Sequence, residues 1–343
     1  MLINPARILI IRPSALGDVA RSVGVLYSLR RAYPGAQIDW LVQDSFADVI
    51  AAHPDLSGVV PFPRASFSRW LRTGRVDRVL GYLSSLRARR YDLVLDCQGL
   101  ARSGLFARAT GAPVRVGHAN ARELGWLGVN VRVPGSIEAH TVDRMLSLLT
   151  PLGVVAHAGE RAMRLYTPAE GAQWAGGHPR LMERYALLAP TSRWSAKQWP
   201  ADRFAQLAKA LLDQGVRVVL VGAASERAQV APLLDLAQSN DRVLDLIGKT
   251  TLAHLMGVIE RAALVVANDS AALHIGVGFN RPLVALYGPT RVHRVGPYRR
   301  ERDVIQHVRP GDVFDHKASA SVAMMQRISA DEVIHAAIHR LKQ

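Results

Sequence analysis

Four short loops, each following an aliphatic run, hold the side chains of this sequence that are equipped for chemistry. Loops at the carboxyl ends of strands are where α/β sheets take their ligands. In the first, Arg12-Pro13-Ser14-Ala15-Leu16-Gly17-Asp18, a flexible glycine precedes a carboxylate. Asp18 is placed to accept the proton of an attacking hydroxyl. The plainer reading, a carboxylate capping the helix that follows, weighs as much on position alone. The loop lacks the G-x-G-x-x-G spacing of a dinucleotide site, which removes the best support for hydride transfer with a nicotinamide.

Thr191, Ser192, Arg193 and Lys197 fall in the second loop, 189–200, between an aliphatic run and a helix. Two hydroxyls and two cations can hydrogen-bond and neutralise a pyrophosphate, which matters when a nucleoside diphosphate departs; solvated loop cations are the alternative. The third loop, Ala267-Asn268-Asp269-Ser270-Ala271-Ala272-Leu273-His274, offers Asp269 and Ser270 as a helix start whose exposed N–H groups take an anion without a metal. His274 is either within reach of a phosphate or ribose or a satisfied core histidine. In the fourth, Gly222-Ala223-Ala224-Ser225-Glu226, Glu226 can hold a ribose hydroxyl or serve as ordinary first-turn charge. No D-x-D occurs anywhere in the chain. A departing diphosphate would therefore be stabilised by helix dipoles and cations, not by a chelated divalent ion.

The elements that must position these loops read as an alternation of strands and helices. ARILIIR (6–12), QIDWLVQ (37–43), GVVPF (58–62) and YDLVLDCQ (91–98) are strands, separated by helices over 19–33, 46–53 and 75–90. After about Val155 the pattern restarts. YALLAP (185–190), VRVVLVG (216–222), VLDLIG (243–248), LVVAND (264–269) and PLVALYG (282–288) alternate with helices over 201–214, from Ser225, over 251–262 and from Ala271. Parallel strands need crossover helices, so each half is a doubly wound, Rossmann-like α/β sheet. A chain of 343 residues suits two domains of ~150–180 residues. The closing stretch from Ser329 has the Ser/Asp start of a final helix.

The composition is that of a folded protein, with 49% hydrophobic and 21% charged residues. The single cysteine, Cys97, excludes an internal disulfide and a cysteine-pair zinc site, and fits a reducing compartment. No apolar stretch approaches the ~18–20 residues of a membrane span, and the opening residues are too short and polar for a secretory signal. A cytoplasmic protein is expected. The net charge of +15, from 43 Lys and Arg against 28 Asp and Glu, implies an anionic partner. Segments 64–78 and 85–90 mix arginine with aromatic and apolar residues, which suits an amphipathic face turned to an acidic membrane or glycolipid; a solvated face is the plainer reading. Nucleic acid is set aside because no recognition-module signature appears.

Together the segments ILIIRPSALGD, YDLVLDCQGLARSG, APTSRWSAKQWP and VVANDSAALHIGVGFNRPLVALYGPT resemble the ADP-heptose:lipopolysaccharide heptosyltransferases, inverting glycosyltransferases of the GT-B architecture. They span nearly the whole chain in order. The resemblance implies two Rossmann-like doubly wound domains facing each other across a cleft. An acceptor-binding domain would cover 1–165, a nucleotide-sugar-binding domain 166–325, and a C-terminal helix in 326–343 would pack back on the first. It implies transfer of heptose from ADP-L-glycero-β-D-manno-heptose to an anionic inner-core acceptor, at the inner membrane surface and with no metal or cofactor. A relative using another nucleotide sugar and a non-catalytic nucleotide-sugar or lipid-binding protein are the alternatives.

Carried over by motif, the catalytic base falls on Asp18, in a loop shaped by Ser14 and Gly17. The donor-phosphate hydroxyls fall on Thr191 and Ser192, and the lysine that offsets leaving-group charge on Lys197. Asp269, Ser270, Ala271 and His274 match the donor-binding turn, with Ser270 for a usual threonine and Ala271 for a usual glycine, and Glu226 falls on the nucleoside side. Gln98, Arg102, Arg122 and His140 fall near the acceptor. Two departures stand out: Arg12 replaces lysine of some members, and the phosphate loop is one residue longer around Trp194–Ala196.

Overall fold

The aliphatic run of the first strand is buried along almost its whole length, Ile8 to Ile11 being fully sequestered. Such continuous burial, without alternation, is what a parallel strand covered on both faces requires. The computed structural model describes residues 4–342. Residues 1–3, at the head of the expected signal-free start, and residue 343, at the end of the expected last helix, lie outside the described residues.

Two units divide between Tyr166 and Thr167. In the first, β1 (Arg7–Ile11), β2 (Gln37–Gln43), β3 (Gly58–Phe62), β4 (Leu93–Asp96), β5 (Val114–His118) and β6 (Val131–Val133) form one sheet. Its order is β3-β2-β1-β4-β5-β6, and every pairing is parallel. In the second, β7 (Tyr185–Ala189), β8 (Arg217–Leu220), β9 (Val243–Asp245), β10 (Leu264–Asn268), β11 (Leu283–Leu286) and β12 (Val304–Ile305) run β12-β11-β10-β7-β8-β9, again all parallel. Both are the doubly wound order, with the chain reversing its direction of winding between β1 and β4 and between β7 and β10. Those are the switch points at which such sheets bind ligands. Ile11 pairs with Asp96 and Ala189 with Ala267, so at each switch point two loops leave side by side.

Several elements differ from the expected ones for local reasons. The helix read over 19–33 is two, Leu16–Arg21 and Val23–Ala32, joined at Ser22. The Ser22 hydroxyl donates to the Asp18 carbonyl at 2.6 Å, an alternative to the helical ladder. The helix read from Ser225 begins as a tight turn, Ala224–Val230, and becomes α-helical only over Ala231–Ser239, where Pro232 suits the first turn. β5, β6 and β12 escaped the sequence reading. The segment 326–343 belongs to the second unit. Its helix Ala330–Leu341, capped by Ser329, lays Val333, Ala337 and Leu341 into the core that holds Phe204 and Leu211.

Close packing in the first unit depends on glycine. A Cβ on Gly104 would lie 2.3 Å from the Gly125 carbonyl oxygen, and one on Gly128 would lie 2.0 Å from that of Gly104. The helix Ala101–Ala109, which follows β4, can therefore press directly on the turn Gly125–Gly128.

Candidate functional site

At the β1/β4 switch point the central group is the Asp18 carboxylate, in the third position of its helix and about one quarter exposed. Arg12 Nη2 lies 2.8 Å from its Oδ2, and Arg21 pairs with Oδ1. Both guanidiniums are buried. The capping role is also present, Oδ2 accepting from the Ala15 N–H at 3.4 Å. Asp18 is thus held by two cations, neither of which the sequence reading had assigned to it; the i,i+3 spacing to Arg21 was the available signal.

Arg12 also ties this loop to its neighbour by donating to the Cys97 carbonyl at 2.5 Å, and the Ser14 N–H donates to Gln98 Oε1 at 3.2 Å. The β4 loop is organised by Asp96, which sequence reasoning passed over. Its fully buried carboxylate accepts from the Gln98 and Gly99 N–H groups and the Ser103 hydroxyl. Burial pushes Asp96 above the usual carboxylate range despite those bonds. Burial likewise pushes the Cys97 thiol up to about 12, which disqualifies it as a nucleophile near neutral pH. Gly17 is the second residue of its helix, so its N–H is one of the orphans of the first turn. Of the residues matched to the acceptor, Gln98 joins this cluster. Arg122 enters it through its backbone, donating to the Gly99 carbonyl at 3.0 Å. Arg102 stands over the Phe62 ring at 5.1 Å, and His140 caps the helix Thr141–Ser147 by accepting from the Val142 N–H at 3.1 Å.

At the β7/β10 switch point Asp269 is the hub. Lys197 Nζ lies 2.6 Å from its Oδ2, the Thr290 hydroxyl donates to the same oxygen at 2.9 Å, and His274 Nε2 is 3.9 Å from Oδ1. Burial alone would raise the Asp269 pKa; the His274 and Lys197 contacts outweigh it and hold the carboxyl well below its ordinary range. His274 is buried and faces Asp269, and Lys197 is paired, not a loose loop cation. Asn268, completely buried, fastens the two loops together: its amide donates to the Pro190 carbonyl at 2.8 Å, and its oxygen accepts from the Trp199 N–H at 3.1 Å.

Ser270 is the N-cap of the helix Ala271–Gly278, but its side chain makes no capping bond. Its buried hydroxyl has no partner among the described residues. The first-turn amides are therefore without a side-chain cap. Beside this turn the Thr191 hydroxyl donates to Glu226 Oε2 at 2.7 Å, the Ser192 N–H donates to Gln229 at 3.3 Å, and the Ser192 carbonyl accepts from Gln198 at 2.7 Å. Thr290, Asn268 and His316 were not singled out in the sequence. The first two lie inside the segment 265–290 quoted for its resemblance; His316, edge-on to Trp194 at a centroid distance of 4.9 Å, gave no signal. Among the described residues no group of three or more His, Cys, Asp or Glu is placed to hold a metal ion.

Two six-stranded doubly wound sheets, with a clamped carboxylate at one switch point and an uncapped helix start at the other, define a two-domain doubly wound α/β protein. The model of glycosyltransferase family 9 (heptosyltransferase) matches residues 80–320, and the chain belongs to that family. It is 30% identical to lipopolysaccharide heptosyltransferase 2 of Escherichia coli K12, covering 90% of this chain and 92% of that one. Among solved structures it is similar to E. coli ADP-heptose LPS heptosyltransferase II, with TM-score 0.78, 25% identity, and 98% of this chain and 99% of that chain covered. It is also similar to E. coli heptosyltransferase WaaC with ADP-2-deoxy-2-fluoro heptose, with TM-score 0.74, 26% identity, and 96% and 98% covered. The GT-B fold and glycosyltransferase activity of the heptosyltransferase type, within lipopolysaccharide biosynthesis, follow from that membership.

Proposed function

We propose that this protein transfers heptose from ADP-L-glycero-β-D-manno-heptose to an anionic inner-core acceptor, with inversion and without a metal, at the cytoplasmic face of the membrane. The observation that carries the reading is the turn at the β7/β10 switch point. There Lys197 is bonded to Asp269, and the next residue, Ser270, has a hydroxyl without a partner among the described residues and starts a helix with no side-chain cap, an arrangement suited to a diphosphate. A similar protein has been solved with an ADP-heptose analogue. In this reading Thr191 and Ser192 add hydroxyl contacts to the phosphates, and Glu226, with Oε2 engaged by Thr191, turns toward the ribose. His274 and Thr290 hold Asp269, which in turn orients Lys197.

The chemistry is a single displacement. Asp18 takes the proton of the acceptor hydroxyl as its oxygen forms the new bond to the anomeric carbon. The bond from that carbon to the diphosphate oxygen breaks, and ADP leaves with the electron pair. Arg12 and Arg21 keep the carboxylate oriented, while Gln98, Arg102 and Arg122 offer hydrogen bonds and charge to acceptor phosphates or carboxylates.

The test is transfer itself. The purified protein, given ADP-heptose and Kdo-lipid A or a heptosylated core, should release ADP and yield an acceptor heavier by one heptosyl unit, with inverted anomeric configuration and undiminished rate in EDTA. Retained configuration, or a metal requirement, would overturn the mechanism. Transfer only from another nucleotide sugar would correct the donor, and donor binding with neither transfer nor hydrolysis would make the protein a binding module.

A further inference from the structure

We infer that the helical hairpin at positions 64–90 of the first unit is a built membrane-docking element that seats on an anionic bilayer and inserts apolar side chains between its headgroups. The inference rests on the peripheral location proposed above and assigns it a surface. The hairpin consists of the helices Arg64–Arg72 and Val76–Ala88. Its inner face is ordinary core: Phe67, Val79 and Leu86 are buried and pack with Phe62 and Phe106. Its outer face is not ordinary surface.

Positions 64–90 hold eight arginines against one acid, Asp77, a net +7 of the whole chain's +15. That acid is itself engaged by Arg75, with bonds of 3.0 Å, and lies 3.7 Å from Arg78. Amid these cations Leu71, Val76 and Leu80 are 61%, 59% and 58% exposed. All eight residues from Leu71 to Arg78, across the end of the hairpin, are exposed. A folded protein that merely needed solubility would place polar residues at such a tip. Cations ringing protruding aliphatic side chains match the two layers of an anionic bilayer surface, phosphates outside and acyl chains within. A nucleic acid would satisfy the arginines but leave the leucines and valine in water.

The experiment is flotation of the full-length protein with vesicles of phosphatidylcholine alone or mixed with phosphatidylglycerol, at low and high salt. The wild type should float with the anionic vesicles only, and less so as salt rises. Replacing Arg72, Arg75 and Arg78 together by Ser should weaken binding about a hundredfold, at about fivefold per arginine. Leu71→Ser with Leu80→Ser should weaken it about tenfold while leaving the salt dependence unchanged. Because these residues are exposed, each variant should keep the wild-type melting temperature and its rate on a water-soluble, deacylated acceptor. That rate reports separately on whether the transferase reading holds. Equal flotation of wild type and variants would overturn the proposal, as would equal binding to neutral vesicles, or vesicle binding that survives in the arginine variant while binding to an oligonucleotide is lost.

Discussion

Lys197 Nζ and Asp269 Oδ2 are 2.6 Å apart, and both side chains are largely withdrawn from solvent. The cation proposed to receive a diphosphate therefore arrives already oriented, at the cost of sharing its charge with a carboxylate. What the site adds for an anion is consequently the lysine's remaining N–H donors and the amides of the helix after Ser270, not an isolated positive charge. Lys197→Met keeps an unbranched side chain, one atom shorter, and removes the charge. It leaves Asp269 buried beside His274 and Thr290 without the ammonium, and breaking a buried pair in this way costs about 3 kcal/mol. The expected result is a lowered melting temperature, together with ADP affinity reduced at least about tenfold by calorimetry. Unchanged ADP affinity would show that the lysine holds only Asp269.

Gly222 tests the Thr191–Glu226 pair without touching either residue. A Cβ there would lie 2.6 Å from the Thr191 hydroxyl oxygen and 3.1 Å from its methyl carbon. The threonine must move, and its 2.7 Å bond to Glu226 breaks with it. Gly222→Ala should destabilise the second unit by about 1–3 kcal/mol and weaken ADP binding more than Gly177→Ala, a change at an exposed glycine ending the helix Ala169–Gly177, where a Cβ meets nothing within 4 Å. If both variants bind ADP equally well, the threonine–glutamate pair has no part in the nucleotide site.

These residues also show how far the sequence could be read. β1, β2, β4, β7, β8 and β10 were legible because a parallel strand buried on both faces is a bare aliphatic run. β5, with Arg115, Gly117 and His118, and the three-residue β6 do not look like that, and β12 has two residues, too few to carry a pattern. Asp18, Thr191, Glu226 and Asp269 were legible as loop residues just past strands. Some of their partners were not. Arg12 and Asp96 lie in or at the end of buried strands, where the sequence displays charge but not the residue that neutralises it. Thr290 reaches Asp269 from 21 positions away, a contact set by the adjacency of β10 and β11, which no local spacing records.

His53 makes stability depend on pH. It is buried, its Nδ1 accepts from the Asp55 N–H at 3.2 Å, and Nε2 has no partner among the described residues. Burial, with nearby Arg31 adding to it and Asp55 opposing, lowers its pKa from 6.5 to about 4. Below 6.5 the unfolded chain takes up a proton that the folded chain refuses until about 4. Its contribution is therefore complete above that upper value, falls as the pH drops through the window, and levels off below it, a loss of about 3 kcal/mol. His53→Asn retains an acceptor for the Asp55 N–H and has no proton to gain. Urea unfolding from pH 7 to pH 4 should show a shallower decline for the variant; parallel curves would clear His53 of the effect.

Asp18→Asn separates the base from its scaffold. Arg12 and Arg21, both buried, lose their counter-charge while the amide keeps the shape of the carboxyl group. Because Asp18 is about one quarter exposed, the expected stability cost is modest, about 2 kcal/mol, below that of a fully buried pair. The cost to transfer should be far larger. Loss of a positioned general base removes about 10²–10⁴-fold in rate, and the ADP affinity, set in the other unit, should stay within about twofold. Calorimetry for ADP and a transfer assay on the same preparation decide the matter. Full transfer by the variant would remove Asp18 from the chemistry and leave the two arginines as its structural reason for being there. A joint loss of ADP binding and transfer would mean instead that the substitution had damaged the protein beyond the first switch point.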